Sequence, residues 1–167
     1  EINRGYVTLL NNQNKEINLA GKESLAMYAK NGYIINKGKI ELSGAGSTAI
    51  YGRDNTLIEN TNTSKIKLNG DKSIAIYYNN TDVTIPGENI ENYGEIELNG
   101  NKNIGIAYNS VSIASTNPTL VKNFGDIRIT NKESIGIHAE VTQNNPYVIE
   151  NQGNITIENQ NQDIKKP

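Results

Sequence analysis

The phrase "NYGEIELNGNKNIGIAY" at residues 92–108 is a near copy of "KGKIELSGAGSTAIY" and "TSKIKLNGDKSIAIYY" before it, and of "NFGDIRITNKESIGIHA" after it. The first apolar residue of each central phrase is Ile17, Ile40, Ile66, Ile96, Ile127 or Ile155, so the unit recurs after 23, 26, 30, 31 and 28 residues. A repeat of that size and variable length is the mark of a solenoid with loops of unequal length. No single copy can bury its own apolar face, so the copies must stack.

Each unit divides into three short pieces, and each alternates with a period of two, the spacing of strands. The first reads "IENYG" or "VKNFG", the second "EIELNG" or "DIRITN", and the third "NIGIA" or "SIGIH". Isoleucine, with 24 copies in 167 residues, suits a pleated surface because it branches at Cβ. The expected fold is all-β: a parallel β-helix of about five rungs, each of three short strands spaced by about 4.8 Å, with irregular loops at one corner. Residues 1–167 then form a single solenoid segment.

The inward columns follow from the alternation. In the second strand they are Ile17/Leu19, Ile40/Leu42, Ile66/Leu68, Ile96/Leu98, Ile127/Ile129 and Ile155/Ile157; in the third, Leu25/Met27, Ile50, Ile74/Ile76, Ile104/Ile106 and Ile135/Ile137. The first piece places an asparagine in the inward phase at a bend: Asn11, Asn36, Asn60, Asn92, Asn123 and Asn151. Stacked amides can hydrogen-bond from rung to rung, which offsets the penalty of burying them. The glycines two residues later, at 38, 94, 125 and 153, are expected at positive φ. The outward position of the second strand runs Glu41, Lys67, Glu97, Arg128, so opposite charges become neighbours in a parallel stack.

Variation concentrates at one corner. The connections after the third strand are 29–33, 52–56, 79–89, 109–119 and 140–147, and insertions at one corner of a solenoid line one side of it. Beside that corner Ala26, Ala49, Ala75, Gly105 and Gly136 form a small-residue column that should face outward. Next comes an aromatic column of Tyr28, Tyr51, Tyr77, Ala107 and His138, with Tyr78 and Tyr108 one step on. Such a strip suits stacking against a sugar or packing against a protein partner. It equally suits tyrosines that anchor loops folded down onto small residues. His138, the single histidine, replaces a tyrosine in a surface column, which gives it a structural rather than catalytic place.

Little in the sequence points to chemistry. No cysteine is present, so disulfides and thiolate metal sites are excluded. A net charge of −2 with interspersed signs gives no nucleic-acid footprint. No apolar run approaches the ~20 residues of a membrane helix. Parallel β-helix enzymes that cut acidic polysaccharides cluster carboxylates, whereas Asp54, Asp71, Asp82, Asp126 and Asp163 share no column or strand. No catalytic, metal or cofactor residues are assigned.

The recurring "NxGxIxLxGxxSIGIY", through "SLAMYA", "STAIYG", "SIAIYY", "NIGIAY" and "SIGIHA", resembles the passenger domains of large type V autotransporter adhesins of the Asn-, Ile- and Lys-rich fusobacterial type. The likeness runs from about residue 7 to 159. It implies a right-handed parallel β-helix on the surface of a Gram-negative cell, exported through a C-terminal barrel that is not in this sequence. It further implies attachment to host cells or other bacteria through a surface protein or glycan, with no cofactor. On this view the chain is a segment of a longer passenger. The rival expectations are a spacer stalk, including that of an autotransporter toxin, and a polysaccharide-degrading enzyme.

Overall fold

The computed structural model describes residues 7–81, 90–111, 119–142 and 148–158. Among them there is no helix. Fifteen strands pair only in parallel and stack as a β-solenoid of about five turns.

The second pieces form a six-stranded sheet of β2 (Glu16–Leu19), β4 (Lys39–Leu42), β6 (Lys65–Leu68), β9 (Glu95–Leu98), β12 (Ile127–Ile129) and β15 (Ile155–Ile157). Along it Ile17, Ile40, Ile66, Ile96, Ile127 and Ile155 pair in succession, the same alignment that defines the sequence repeat. The four middle isoleucines and Leu42, Leu68 and Leu98 have no solvent exposure. A fully buried side chain of this type contributes about 1.5–3 kcal/mol, so this column is one source of cohesion between rungs.

The other two pieces are joined into one nine-stranded sheet through the long strands of the first two turns. In the first two turns the third piece of one rung and the first piece of the next are a single strand: β3 (Leu25–Asn36) and β5 (Thr48–Asn60), with β1 (Val7–Asn11) paired to the end of β3. Asn31 (φ 60°) and Asp54 (φ 54°) bend these strands at the corner, and the register slips there. Beyond β5 the sheet forks. Third pieces β7 (Ile74–Asn80), β10 (Ile104–Ser110) and β13 (Ile135–Val141) continue from its first half. First pieces β8 (Ile90–Asn92), β11 (Thr119–Asn123) and β14 (Val148–Asn151) continue from its second. The short connections of the early rungs thus let the strand run on, and the longer ones split it.

Two polar ladders hold the corners. Asn11 donates to Asn36 at 2.8 Å, Asn36 to Asn60 at 2.8 Å, Asn60 to Asn92 at 2.7 Å, Asn92 to Asn123 at 2.6 Å and Asn123 to Asn151 at 2.7 Å. The sequence reading missed the second ladder. Backbone N–H groups of Ser24, Ser47, Ser73 and Asn103 donate to the side chains of Ser47, Ser73, Asn103 and Ser134, at 3.1, 3.1, 2.8 and 3.0 Å. Its signal was visible in "GKES", "GAGS", "GDKS", "GNKN" and "NKES".

The glycines at 38, 94, 125 and 153 are not at positive φ, contrary to the sequence expectation. They are small because the rungs touch there: a Cβ on Gly153 would lie 2.0 Å from the Gly125 carbonyl oxygen. Positive φ falls mainly on the other turn, at Glu23, Gly46, Lys72, Lys102 and Glu133, with Asn14 at 62° a further case at the asparagine corner. The αL conformation turns the Lys72 N–H toward the Asn101 carbonyl of the next rung at 2.9 Å, so the stack imposes it. It costs a side-chain-bearing residue about 1–2 kcal/mol, part of which glycine's larger unfolded-state entropy cancels. Lys72→Gly should therefore raise unfolding stability by about 0.5–1 kcal/mol, read from the urea midpoint at constant slope.

Candidate functional site

The outward side of the six-stranded sheet neutralises itself. Lys65 Nζ lies 3.0 Å from Glu95 and 2.8 Å from Glu97, Lys67 lies 3.8 Å from Glu97, and Lys39 lies 2.9 Å from Glu41. Glu41, Lys67, Glu97 and Arg128 are register neighbours, yet Arg128 turns away to grip Glu158 through two bonds of 2.6 and 2.8 Å. Burial is the largest single influence and would raise the Glu97 pKa, but the hydrogen bonds from Lys65 and Asn99 and the charges of Lys65 and Lys67 together outweigh it and hold the carboxyl below its ordinary range. This face has its charges matched within the chain.

The third-piece face is different, and it departs from the sequence reading in a specific way. Ala49, Ala75 and Gly105 point inward: a Cβ on Gly105 would meet the Ile127 side chain of the opposite sheet at 3.2 Å. The space between the sheets admits only a small residue there. The following Ile50, Ile76 and Ile106 also have no exposure, so two consecutive residues face the core and the strand bends. The bend puts the preceding residue outside. Leu25, Thr48, Ile74, Ile104 and Ile135 therefore form an outward column through five rungs, and Leu25 and Ile135 are each 44% exposed.

Beside it runs the aromatic column. Tyr28 is 43% exposed, Tyr51 and Tyr77 are half-buried, Ala107 is buried and His138 is exposed. Tyr28 and Tyr51 have ring centroids 5.3 Å apart with a tilt of 51°, and Tyr51 and Tyr77 stack at 4.9 Å and 17°. Tyr51 and Tyr77 turn their faces to each other, so these two are no flat platform for a sugar ring. Burial pushes the Tyr77 hydroxyl pKa up, with Asn109 in hydrogen-bond reach.

Tyr78 and Tyr108 do not belong to this surface. Both have no exposure and stack on each other inside the solenoid at 4.9 Å and 18°. Their position is taken by Ala29 and Gly52 in the earlier rungs, so the two rings fill the corner of rungs with longer connections. Most of the connections at 79–89 and 109–119, and 143–147 of the last one, lie outside the described residues.

Sequence reasoning also missed a cluster beneath the corner. The Asp54 carboxylate is buried; it accepts the N–H and hydroxyl of Thr81, both at 3.0 Å, and lies 3.3 Å from Lys30 and 3.6 Å from Arg53. The Tyr78 hydroxyl donates to the Asp54 carbonyl. Burial would raise the pKa of Asp54, but the Thr81 donors and the Lys30 ammonium outweigh it and the pKa is lowered. A lowered folded-state pKa adds stability above the unfolded value of about 3.9, and that stability fades as pH falls through the folded value. Asp54→Asn should lower stability at neutral pH and reduce its loss on acidification below about pH 4, seen in thermal midpoints across a pH series. A further ring pair, the exposed Tyr93 and the half-buried Phe124, stacks at 4.9 Å and 7° beside the asparagine corner. Among the described residues no group of three or more His, Asp or Glu side chains could hold a metal ion.

These features define a parallel β-solenoid with one self-neutralised face and one aliphatic and aromatic face. No family model, curated protein or solved structure matches the chain.

Proposed function

We propose that this chain is a non-catalytic segment of a bacterial cell-surface adhesin of the autotransporter type, a rigid stack that presents a binding face to a host-cell or bacterial surface partner. The observation that carries the reading is the contrast between the two faces. The six-stranded side satisfies its own charges, while the third-piece side keeps leucine or isoleucine outward in four of five rungs beside a tyrosine stack. Aliphatic side chains that a solenoid holds outward rung after rung contribute nothing to its core, and contiguous apolar surface of this kind is typical of contact sites.

Ring stacking within the column argues for a partner that packs against aliphatic side chains and tyrosine edges, which favours a protein over a glycan. The spacer reading is supported by the asparagine ladder, which runs through every described rung and stiffens the stack whatever it binds.

The test is binding of the labelled chain to epithelial cells and to partner bacteria, against Ile74→Lys/Ile104→Lys. Both residues lie outward, so sheet content by circular dichroism should survive. Saturable binding that the double variant loses supports the adhesive face. Binding that it retains places the contact elsewhere on the chain, and absence of binding by both leaves the spacer.

A further inference from the structure

We infer that the outward tyrosine column is an oxidative modification site, at which Tyr51 couples through its ring to Tyr28 or Tyr77 on an adjacent rung when a haem peroxidase and hydrogen peroxide act on the chain. Two ring stacks of nearly the same geometry carry this, one reached by solvent and one sealed. Tyr51 and Tyr77 stack at 4.9 Å and 17°, and Tyr28 lies 5.3 Å from Tyr51 on its other side at a tilt of 51°. Tyr28 is 43% exposed and Tyr51 and Tyr77 are half-buried, so an oxidant in solution has access to this row. Tyr78 and Tyr108 stack at 4.9 Å and 18° but have no exposure. The stack of Tyr93 on Phe124 holds a single phenol and cannot form a bond of this kind.

The parallel register keeps the coupling within one chain. Tyr28, Tyr51 and Tyr77 are successive register partners, about 4.8 Å apart along the stack. Rings already in contact need no diffusion to meet, so coupling within the chain outruns coupling between chains. Each of two phenols gives one electron to the peroxidase and its hydroxyl proton to water, which leaves two phenoxyl radicals. Their ortho carbons join in one carbon–carbon bond, and the ring hydrogens displaced there return to the two phenol oxygens through water. Hydrogen peroxide takes up the two electrons and two protons and leaves as two water molecules. The product is a dityrosine that ties neighbouring rungs covalently. Tyr51 is common to both pairs, because Tyr28 and Tyr77 lie two rungs apart, about 9.6 Å. On the far side of Tyr77 the row ends at Ala107.

The test treats the whole folded chain, at low concentration, with a haem peroxidase and limiting hydrogen peroxide, then digests the monomer fraction with trypsin. Tyr28 falls in peptide 23–30, Tyr51 in 40–53, Tyr77 and Tyr78 in 73–102 and Tyr108 in 103–122. The expected product is 40–53 joined to 23–30 or to 73–102, two hydrogens lighter than its parts, with fragmentation placing the bond on Tyr28 or Tyr77. It should exceed 73–102 joined to 103–122, the mark of the buried pair, several-fold. Tyr51→Phe keeps a ring in the row and therefore the packing, and no link between 23–30 and 73–102 should replace the lost ones. Absence of any joined 40–53 peptide from the monomer, an equal yield from the buried pair, or a link between 23–30 and 73–102 in Tyr51→Phe overturns the inference.

Discussion

Gly125→Ala is expected to unfold the solenoid or to lower its stability by about 3 kcal/mol or more, the upper end of what overpacking costs. The added Cβ would lie 2.0 Å from the Gly94 carbonyl oxygen and 2.8 Å from the Tyr93 carbonyl carbon. Both are backbone atoms of the preceding rung, and neither can rotate away. Relief would require separating two rungs that the asparagine ladder and the isoleucine column hold together. Gly46→Ala is the informative control. Its φ of 70° strains an alanine, but the nearest neighbour of the new Cβ is a flexible Glu23 carbon at 3.5 Å. That substitution should cost about 1 kcal/mol. Denaturant midpoints of the two variants should therefore differ clearly. Equal effects would mean that the rungs do not approach as closely as described.

Asn92→Ala should be nearly as damaging, for a polar reason. Asn92 is wholly buried, accepts from Asn60 at 2.7 Å and donates to Asn123 at 2.6 Å and to the Gly94 carbonyl at 3.1 Å. Alanine would leave the Asn60 amide without its acceptor and the Asn123 oxygen without its donor. Each orphaned buried group costs about 1–3 kcal/mol, so a loss of about 3 kcal/mol is expected. Asn151→Ala, at the exposed end of the same ladder, should cost well under half of that, because water can replace the missing partner. A flat response along the ladder would show that the amides contribute no cooperative hydrogen bonding.

The fold was legible because the repeat carries its own register. Ile17 through Ile155 align in sequence and pair in the same order in space. The asparagines were placed by the same logic, since one column at one phase of one strand leaves a single inward corner. The third piece was misread because strict alternation fails there. In "SIAIYY" Ala75 and Ile76 both face the core, so the isoleucine at 74 moves outside and Tyr78 moves in. Period-two reasoning cannot see a bend that turns two neighbours the same way, but the small residue at 49, 75, 105 and 136 was its trace. Positive φ was assigned to the glycines at 38, 94, 125 and 153 from propensity. Stacking overrode propensity, because the turn at Lys72 and Lys102 follows the rung beneath it. Asp54 was passed over as an isolated acid, since its partners Lys30 and Thr81 lie one rung away on either side and become neighbours only after stacking.

The most direct measurement is disulfide trapping between rungs, which a chain without native cysteine makes unambiguous. Lys67 and Glu97 are register partners on adjacent strands, about 4.8 Å apart and within disulfide reach. Lys67 and Arg128 lie two rungs apart, about 9.6 Å and beyond that reach. Stacked rungs predict that Lys67→Cys/Glu97→Cys oxidises readily to an intramolecular disulfide while Lys67→Cys/Arg128→Cys stays reduced. The reverse result, or equal cross-linking of both pairs, would contradict the solenoid and everything built on it.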